Sequence, residues 1–218
     1  MKKMRSQWWI DFVQCSKYYD DATADILEKW WNDNSYPLIV QGESYEEESL
    51  AERMVAFSGF KLHRIDFSKP LTKSDLLYSW NRDLQKEFLD RVEKIEELPD
   101  SVVRQILYHK RCLVYGSLAF ALANSGSDVL VQLEELDRAS IDIFNSLMVE
   151  FLSNFSITIP ETGQKIVNEP GKFPYIMVSQ KAISKPAKLL AHPVFRNAKT
   201  ITVTPIPEFL DYCFQQNS

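Results

Sequence analysis

The chain alternates short apolar runs with longer segments in which apolar residues recur every three or four positions. Five short segments predict strands, at residues 38–40, 62–67, 129–133, 175–178 and 200–203, and the first of them is an unbroken apolar run. Helical spacing predicts one helix before the first strand, at residues 19–31, and two between later strands, at residues 45–58 and 140–153. Short runs without polar alternation are typical of strands covered on both faces, as in a parallel sheet.

Two other segments complete the pattern. A further helical region is predicted over residues 101–124, with an interruption near Gly116. Residues 155–159 alternate with period two, and a turn at 160–163 leads to residues 165–167, which predicts a β-hairpin. The alternation of strands and helices predicts an α/β fold with a mainly parallel five-stranded sheet flanked by helices and a β-hairpin insertion.

Composition supports one folded domain. The 218 residues are 45% hydrophobic and include 13 Phe, nine Tyr and five Trp, which need a core to bury them. We find no low-complexity linker or internal repeat. We therefore expect an N-terminal extension at residues 1–17 and a single domain at residues 18–218.

Charge and cysteine content narrow the function classes. Lys and Arg number 25 against 30 Asp and Glu, a net charge of −5 without a basic tract, which argues against nucleic acid as a partner. No apolar stretch is long enough for a membrane span, and no secretory signal is evident, so we expect a cytoplasmic protein. The three cysteines, Cys15, Cys112 and Cys213, lack the spacing of a metal site and are expected to be buried or free thiols in a reducing compartment.

A strand, a glycine, a loop and a helix follow one another around residues 38–58, the layout in which phosphate binds a helix N-terminus. Residues 42–52 read GESYEEESLAE, which resembles the GEPGTGKT and following LAE of the MoxR branch of the AAA+ ATPases. Residues 75–81, DLLYSWN, are similar to the family's DLLYEWN, and residues 134–139, EELDRA, to its DEIDRA. The resemblance spans about residues 18–208 and stops where the family's helical lid would begin.

The resemblance implies a P-loop NTPase core with a degenerate phosphate loop (Walker A). Of the groups that bind phosphate and Mg²⁺ in the family, only Gly42 and a hydroxyl at Ser49 remain, and the lysine position is Glu47 or Glu48, depending on where a one-residue gap is placed. Replacing the lysine by a glutamate turns attraction for phosphate into repulsion. At about 4 Å and an effective dielectric constant of about 20, this change weakens phosphate binding by several kcal/mol. Glu46 adds another negative charge to the same loop. We therefore expect no ATP or Mg²⁺ cofactor.

The acidic loop also has a purely structural interpretation. Ser44 and Glu47 fit a capping box at the start of the predicted helix, and carboxylates there favour the positive end of the helix dipole. A metal site is disfavoured because consecutive glutamates on a helix point in different directions.

Other remnants of a nucleotide site follow from the resemblance. Glu134 takes the place of the Mg²⁺-associated aspartate, and Glu135 keeps the position that activates water. Gln180 stands where the family carries the sensor 1 asparagine. Arg138 and Arg196 are candidate interface residues; the alternative for Arg138 is an ion pair with Asp137 or Asp142, and the alternative for Arg196 is a surface position.

Adjacent tryptophans at 8–9 and 30–31 point about 100° apart on a helix. One member of each pair is therefore a candidate for exposure at an interface, and burial of both is the alternative.

The expected function is that of a non-hydrolysing MoxR-like AAA+ module, a pseudo-ATPase that acts through protein–protein contacts as scaffold, adaptor or regulatory subunit. The resemblance suggests AAA+ relatives or a von Willebrand factor A-type protein as partners. The alternative is a divergent chaperone-like ATPase that binds ATP and Mg²⁺ in an oligomer and uses Glu135 as its catalytic residue.

Overall fold

The computed structural model describes residues 12, 21–33, 35–42, 49–92, 98–124, 128–167, 174–180 and 192–203. They fall into two compact units that interleave along the chain. The first unit takes residues 1–69, 127–139 and 173–218, and the second takes 70–126 and 140–172. The expected extension at 1–17 and single domain at 18–218 stay predictions.

The described helices and strands follow in chain order: α1 (Asp21–Asn32), β1 (Leu38–Gln41), α2 (Leu50–Ser58), β2 (Lys61–Asp66), α3 (Lys73–Leu76), β3 (Tyr78–Trp80), α4 (Arg82–Val92), α5 (Asp100–Leu107), β4 (Leu113–Tyr115), α6 (Ser117–Asn124), β5 (Val129–Glu134), α7 (Ile141–Ile143), α8 (Val149–Asn154), β6 (Ser156–Ile159), β7 (Gln164–Val167), β8 (Tyr175–Gln180) and β9 (Lys199–Thr202). A π-helical turn, Phe144–Met148, joins α7 to α8, where one helix is predicted. Short 3-10 helices lie at Lys110–Cys112, Leu136–Arg138 and Pro193–Phe195. No helix in these ranges combines the length and apolar character needed to cross a membrane.

The first unit is built on a five-stranded parallel sheet. Its strand order is β2-β5-β8-β1-β9, and β1 lies between β8 and β9, with Leu38 opposite Met177 and Lys199. All five predicted strands are present within two residues of their predicted ends. The predicted α/β fold is thus confirmed, and it is consistent with a P-loop NTPase-like core.

The central strands are buried on both faces, as their apolar runs predict. Leu38 and Val40 join residues of α1 and α2 in one core cluster. Ile39, which points the opposite way, is only 3% exposed. Burial on both faces is typical of parallel sheets and makes the edge where the strands end the natural place for polar side chains.

The Trp30–Trp31 pair lies in this core. Trp30 is fully buried and donates its indole N–H to the carbonyl of Tyr36 at 3.0 Å. Trp31 is half-buried and stacks on Tyr175, with ring centroids 4.2 Å apart. Neither Trp30 nor Trp31 is exposed, which agrees with the alternative of burial. The other pair, at residues 8 and 9, lies outside the described residues.

The second unit contains two small antiparallel sheets, β3–β4 and β6–β7. The pair β6–β7 is the predicted hairpin. The predicted helical region over 101–124 is wrong in its middle, because α5 ends at Leu107 and the chain then forms β4 before α6 begins at Ser117. The predicted break near Gly116 falls at the junction of β4 and α6.

Candidate functional site

The sheet order fixes where a ligand crevice can lie. From β1 the chain proceeds to β2 on one side of the sheet, whereas from β8 it proceeds to β9 on the other. Loops that leave neighbouring strands in opposite directions open a crevice at the carboxyl ends of those strands. Here β1 ends at Gln41, which lies opposite Gln180 of β8.

Gly42 closes the end of β1. Its amide donates to the carbonyl of Gln180 at 2.9 Å, and its φ of 84° is a left-handed conformation that favours glycine. The loop glutamates Glu46, Glu47 and Glu48 lie outside the described residues.

Helix α2 begins with a capping box formed by Ser49 and Glu52. The Ser49 hydroxyl accepts from the Glu52 amide at 3.2 Å, and the Glu52 carboxylate accepts from the Ser49 amide at 2.7 Å. The prediction of a helix over residues 45–58 is wrong at Ser49, and its start at residue 45 lies outside the described residues. Ser49 has an extended backbone, so the helix begins only at Leu50. Ser44, the predicted cap, lies outside the described residues.

The Ser49 hydroxyl also belongs to a buried polar chain. It lies 3.4 Å from the side-chain oxygen of Gln132 on β5, and the Gln132 amide donates to the hydroxyl of Ser179 on β8 at 3.0 Å. All three residues are at most 1% exposed. The hydroxyl that the resemblance would place on Mg²⁺ thus bonds to the protein itself.

Glu134 is held by an arginine from the neighbouring strand. Arg64 of β2 forms an ion pair with the Glu134 carboxylate through its Nε, and its Nη1 lies 3.2 Å from Glu52. The Glu134 side chain is 4% exposed and that of Arg64 is 37% exposed. Burial lowers the pKa of Arg64, but its bonds and attraction to Glu134, and to Glu52 and Asp66, outweigh burial and raise the pKa overall. One guanidinium is therefore shared by Glu134 and the capping carboxylate of α2.

Glu135 follows directly and has an unusual backbone. Its φ of 51° and ψ of 40° are left-handed, and its amide donates to the carbonyl of Ser179 at 2.9 Å. Its buried carboxylate lies 3.1 Å from Nε of Arg138. A non-glycine residue in this conformation stores about 1 to 3 kcal/mol of strain, which the surrounding bonds must offset.

Gln180 ends β8 beside Gly42 and is 5% exposed. Its side-chain nitrogen has no hydrogen-bond partner among the described residues. The structure therefore brings five of the residues singled out by the resemblance to one edge of the sheet: Gly42, Ser49, Glu134, Glu135 and Gln180.

The two candidate interface arginines differ in their surroundings. Arg138 has a 60% exposed side chain and pairs with Glu135, whose side chain is 9% exposed. Arg196 is exposed after the 3-10 helix Pro193–Phe195. A role for either in an interface stays a prediction.

Sequence reasoning missed the residues that neutralise and bridge this site, namely Arg64, Glu52, Gln132 and Ser179. A signal was present in β5, where Gln132 and Glu134 interrupt an apolar run on one face. Arg64 lies opposite Gln132 in the register, a relation that only the strand order reveals.

The described residues offer no evidence for a metal site. No group of three His, Cys, Asp or Glu side chains among them converges as metal ligands would. Cys112 is a buried free thiol, as predicted, and burial raises its pKa. Cys15 and Cys213 lie outside the described residues.

No protein-family model matches the chain, and no curated protein matches it either.

Proposed function

We propose that this protein is a non-hydrolysing relative of the MoxR-type AAA+ ATPases that acts through protein–protein contacts. The observation that carries the proposal is the ion pair between Arg64 and Glu134. A carboxylate that serves Mg²⁺ has to face the metal and the phosphates. In this chain Glu134 faces an arginine of its own sheet.

The surrounding groups support the same proposal. The Ser49 hydroxyl caps α2 and contacts Gln132, so its proton and one of its lone pairs are engaged within the protein. The sequence of the preceding loop adds Glu46, Glu47 and Glu48 and no lysine. A phosphate placed here would meet anions where a working loop offers a cation.

The role that fits such a site is that of a scaffold, adaptor or regulatory subunit. Partners drawn from the resemblance are active AAA+ relatives and von Willebrand factor A-type proteins, in the cytoplasm. This part of the proposal depends on the motifs at residues 75–81 and 134–139.

One observation favours the alternative of a divergent ATPase. Glu135 is held in a strained left-handed conformation at the end of β5, and such strain clusters at functional sites. Gln180 adds a buried amide nitrogen without a partner among the described residues, a donor that a ligand could use.

A phosphate-release assay separates the two functions. We expect the purified protein with ATP and Mg²⁺ to release phosphate at the rate of the buffer, and the Glu135→Gln variant to behave identically. The variant keeps the size and an acceptor oxygen of the side chain but cannot act as a base. Phosphate release by the wild type that disappears in Glu135→Gln would overturn the proposal. Equal phosphate release by both proteins identifies a contaminating enzyme, so it does not count as activity of this chain.

A further inference from the structure

The second unit contains a pocket lined by none of the residues of the sheet edge described above. It has a volume of about 560 Å³ and lies among α3, β3, the start of α4, α8 and the β6–β7 hairpin. Aromatic, acidic and basic side chains line it together, including Tyr78, Trp80, Glu150, Glu161, Lys73 and Arg82.

The two carboxylates of the pocket accept hydrogen bonds from neutral hydroxyls. Glu161 accepts from the Tyr78 hydroxyl at 2.7 Å, and Glu150 accepts from the Thr158 hydroxyl at 2.6 Å. No Lys, Arg or His among the described residues forms an ion pair with either. Neither carboxylate therefore makes an ion pair within the part of the chain described.

Glu161 is ionised at neutral pH. Burial raises the pKa of its carboxyl, but the hydrogen bonds from Tyr78 and its own backbone outweigh burial and bring the pKa below its usual value. The Trp80 indole N–H contributes in the same direction, although it is buried and makes no hydrogen bond of normal geometry. Burial and the neighbouring Glu161 raise the pKa of Tyr78, so its hydroxyl remains a donor.

The aromatic side of the pocket is held by ring contacts. Tyr78 and Trp80 are two residues apart on β3 and share a face, with ring centroids 6.0 Å apart. Trp80 also packs edge-to-face on Tyr108 at 5.2 Å. An organic cation is attracted both by aromatic rings and by carboxylates, and this pocket has the two side by side.

We propose that this pocket binds the cationic side chain of a lysine or arginine presented by a partner protein. The carboxylates of Glu161 and Glu150 supply the charge, and the rings of Tyr78 and Trp80 supply a cation–π surface. None of these residues belongs to the candidate nucleotide site, so the inference stands or falls separately from the absence of ATP hydrolysis.

The basic residues of the pocket sharpen the test. Lys73 is paired with Asp142 at 3.1 Å, so its charge is balanced. Arg82 has no ion-pair partner among the described residues, and its charge opposes a bound cation. Removing Arg82 should therefore strengthen the binding of a cation, and it would weaken the binding of an anion.

The experiment titrates the full-length protein with N-acetyl-arginine methylamide and follows the probe by ligand-observed NMR. The neutral isostere N-acetyl-citrulline methylamide is the matched ligand. We expect saturable binding of the arginine probe only, weakened about tenfold in Glu161→Gln, because a charge-assisted hydrogen bond is lost. Gln keeps an oxygen that can accept from Tyr78, so the fold should persist, and an unchanged melting temperature checks this.

Two further variants fix the sign of the effect. Arg82→Gln should bind the arginine probe at least about twofold more tightly, since one repulsive charge is removed. Glu87→Gln, which removes a carboxylate of α4 outside the pocket, should leave binding unchanged. Equal binding of citrulline, weaker binding in Arg82→Gln, an equal loss in Glu87→Gln, or no saturable binding at millimolar probe would each overturn the proposal.

Discussion

Replacing Arg64 by methionine should destabilise the protein by about 2 to 3 kcal/mol, because it leaves the Glu134 carboxylate buried without a counter-charge. Methionine preserves much of the apolar stem of arginine, so the loss reports on charge. The expected loss of stability is smaller than the usual cost of breaking a buried ion pair. The reason is that the Arg64 side chain is 37% exposed, so water solvates part of it. Urea denaturation of wild type and variant measures the difference.

Two controls isolate the origin of this loss. Adding Glu134→Gln to Arg64→Met should recover most of the stability, because a neutral amide needs no cation. Arg91→Met breaks an exposed pair with Glu87 on α4 and should cost less than about 0.5 kcal/mol. If Arg64→Met costs no more than Arg91→Met, the guanidinium does not neutralise Glu134 in the way described.

Replacing Gly116 by alanine should cost about 3 kcal/mol, for a steric reason. A Cβ at this position would lie 2.6 Å from the carbonyl carbon of Leu76 and 2.7 Å from both the Asp75 oxygen and the Leu77 nitrogen. All three are backbone atoms, so no rotamer change relieves the overlap. The Gly116 amide also donates to the Leu77 carbonyl at 2.8 Å, which holds the two segments together. Thermal and urea unfolding provide the measurement.

Gly163 offers a matched comparison. Its φ of 68° strains any other residue, but an alanine Cβ there would meet nothing within 4 Å, so Gly163→Ala should cost only about 1 kcal/mol. A loss in Gly116→Ala equal to or smaller than that in Gly163→Ala would contradict the close approach of β4 to the α3–β3 junction.

The centre of the sheet was predictable because β1, β5 and β8 are buried on both faces. The run at residues 38–40 contains no polar residue, and burial of both faces is the property that removes polar alternation. The short strands β3 and β4 were not predictable, since each has three residues and β4 is largely exposed. Gly116, directly after β4, packs against the backbone of residues 75–77, a tertiary contact that the local sequence does not indicate.

The first residue of α2 could not be predicted from the sequence alone. Ser44 with Glu47 and Ser49 with Glu52 both fit the spacing of a capping box. Ser49 and Glu52 form their box, whereas Ser44 and Glu47 lie outside the described residues. The start at Leu50 follows from burial, because Leu50 and Met54 belong to the core and Ser49 contacts Gln132 across the sheet.

The candidate site was half predictable. The resemblance singled out five residues that do meet at the carboxyl edge of the sheet: Gly42, Ser49, Glu134, Glu135 and Gln180. Arg64 was not found, because it is distant from Glu134 in sequence and only the strand order makes the two neighbours. Arg64, which the sequence did not reveal, pairs with Glu134 and neutralises its charge.

In our proposal this edge of the sheet is closed to nucleotide by the protein's own charges. Equilibrium titration of the full-length protein with a fluorescent ATP analogue and Mg²⁺ tests this most directly. We expect no saturable binding in the micromolar range. Micromolar binding that unlabelled ATP displaces would contradict the proposal.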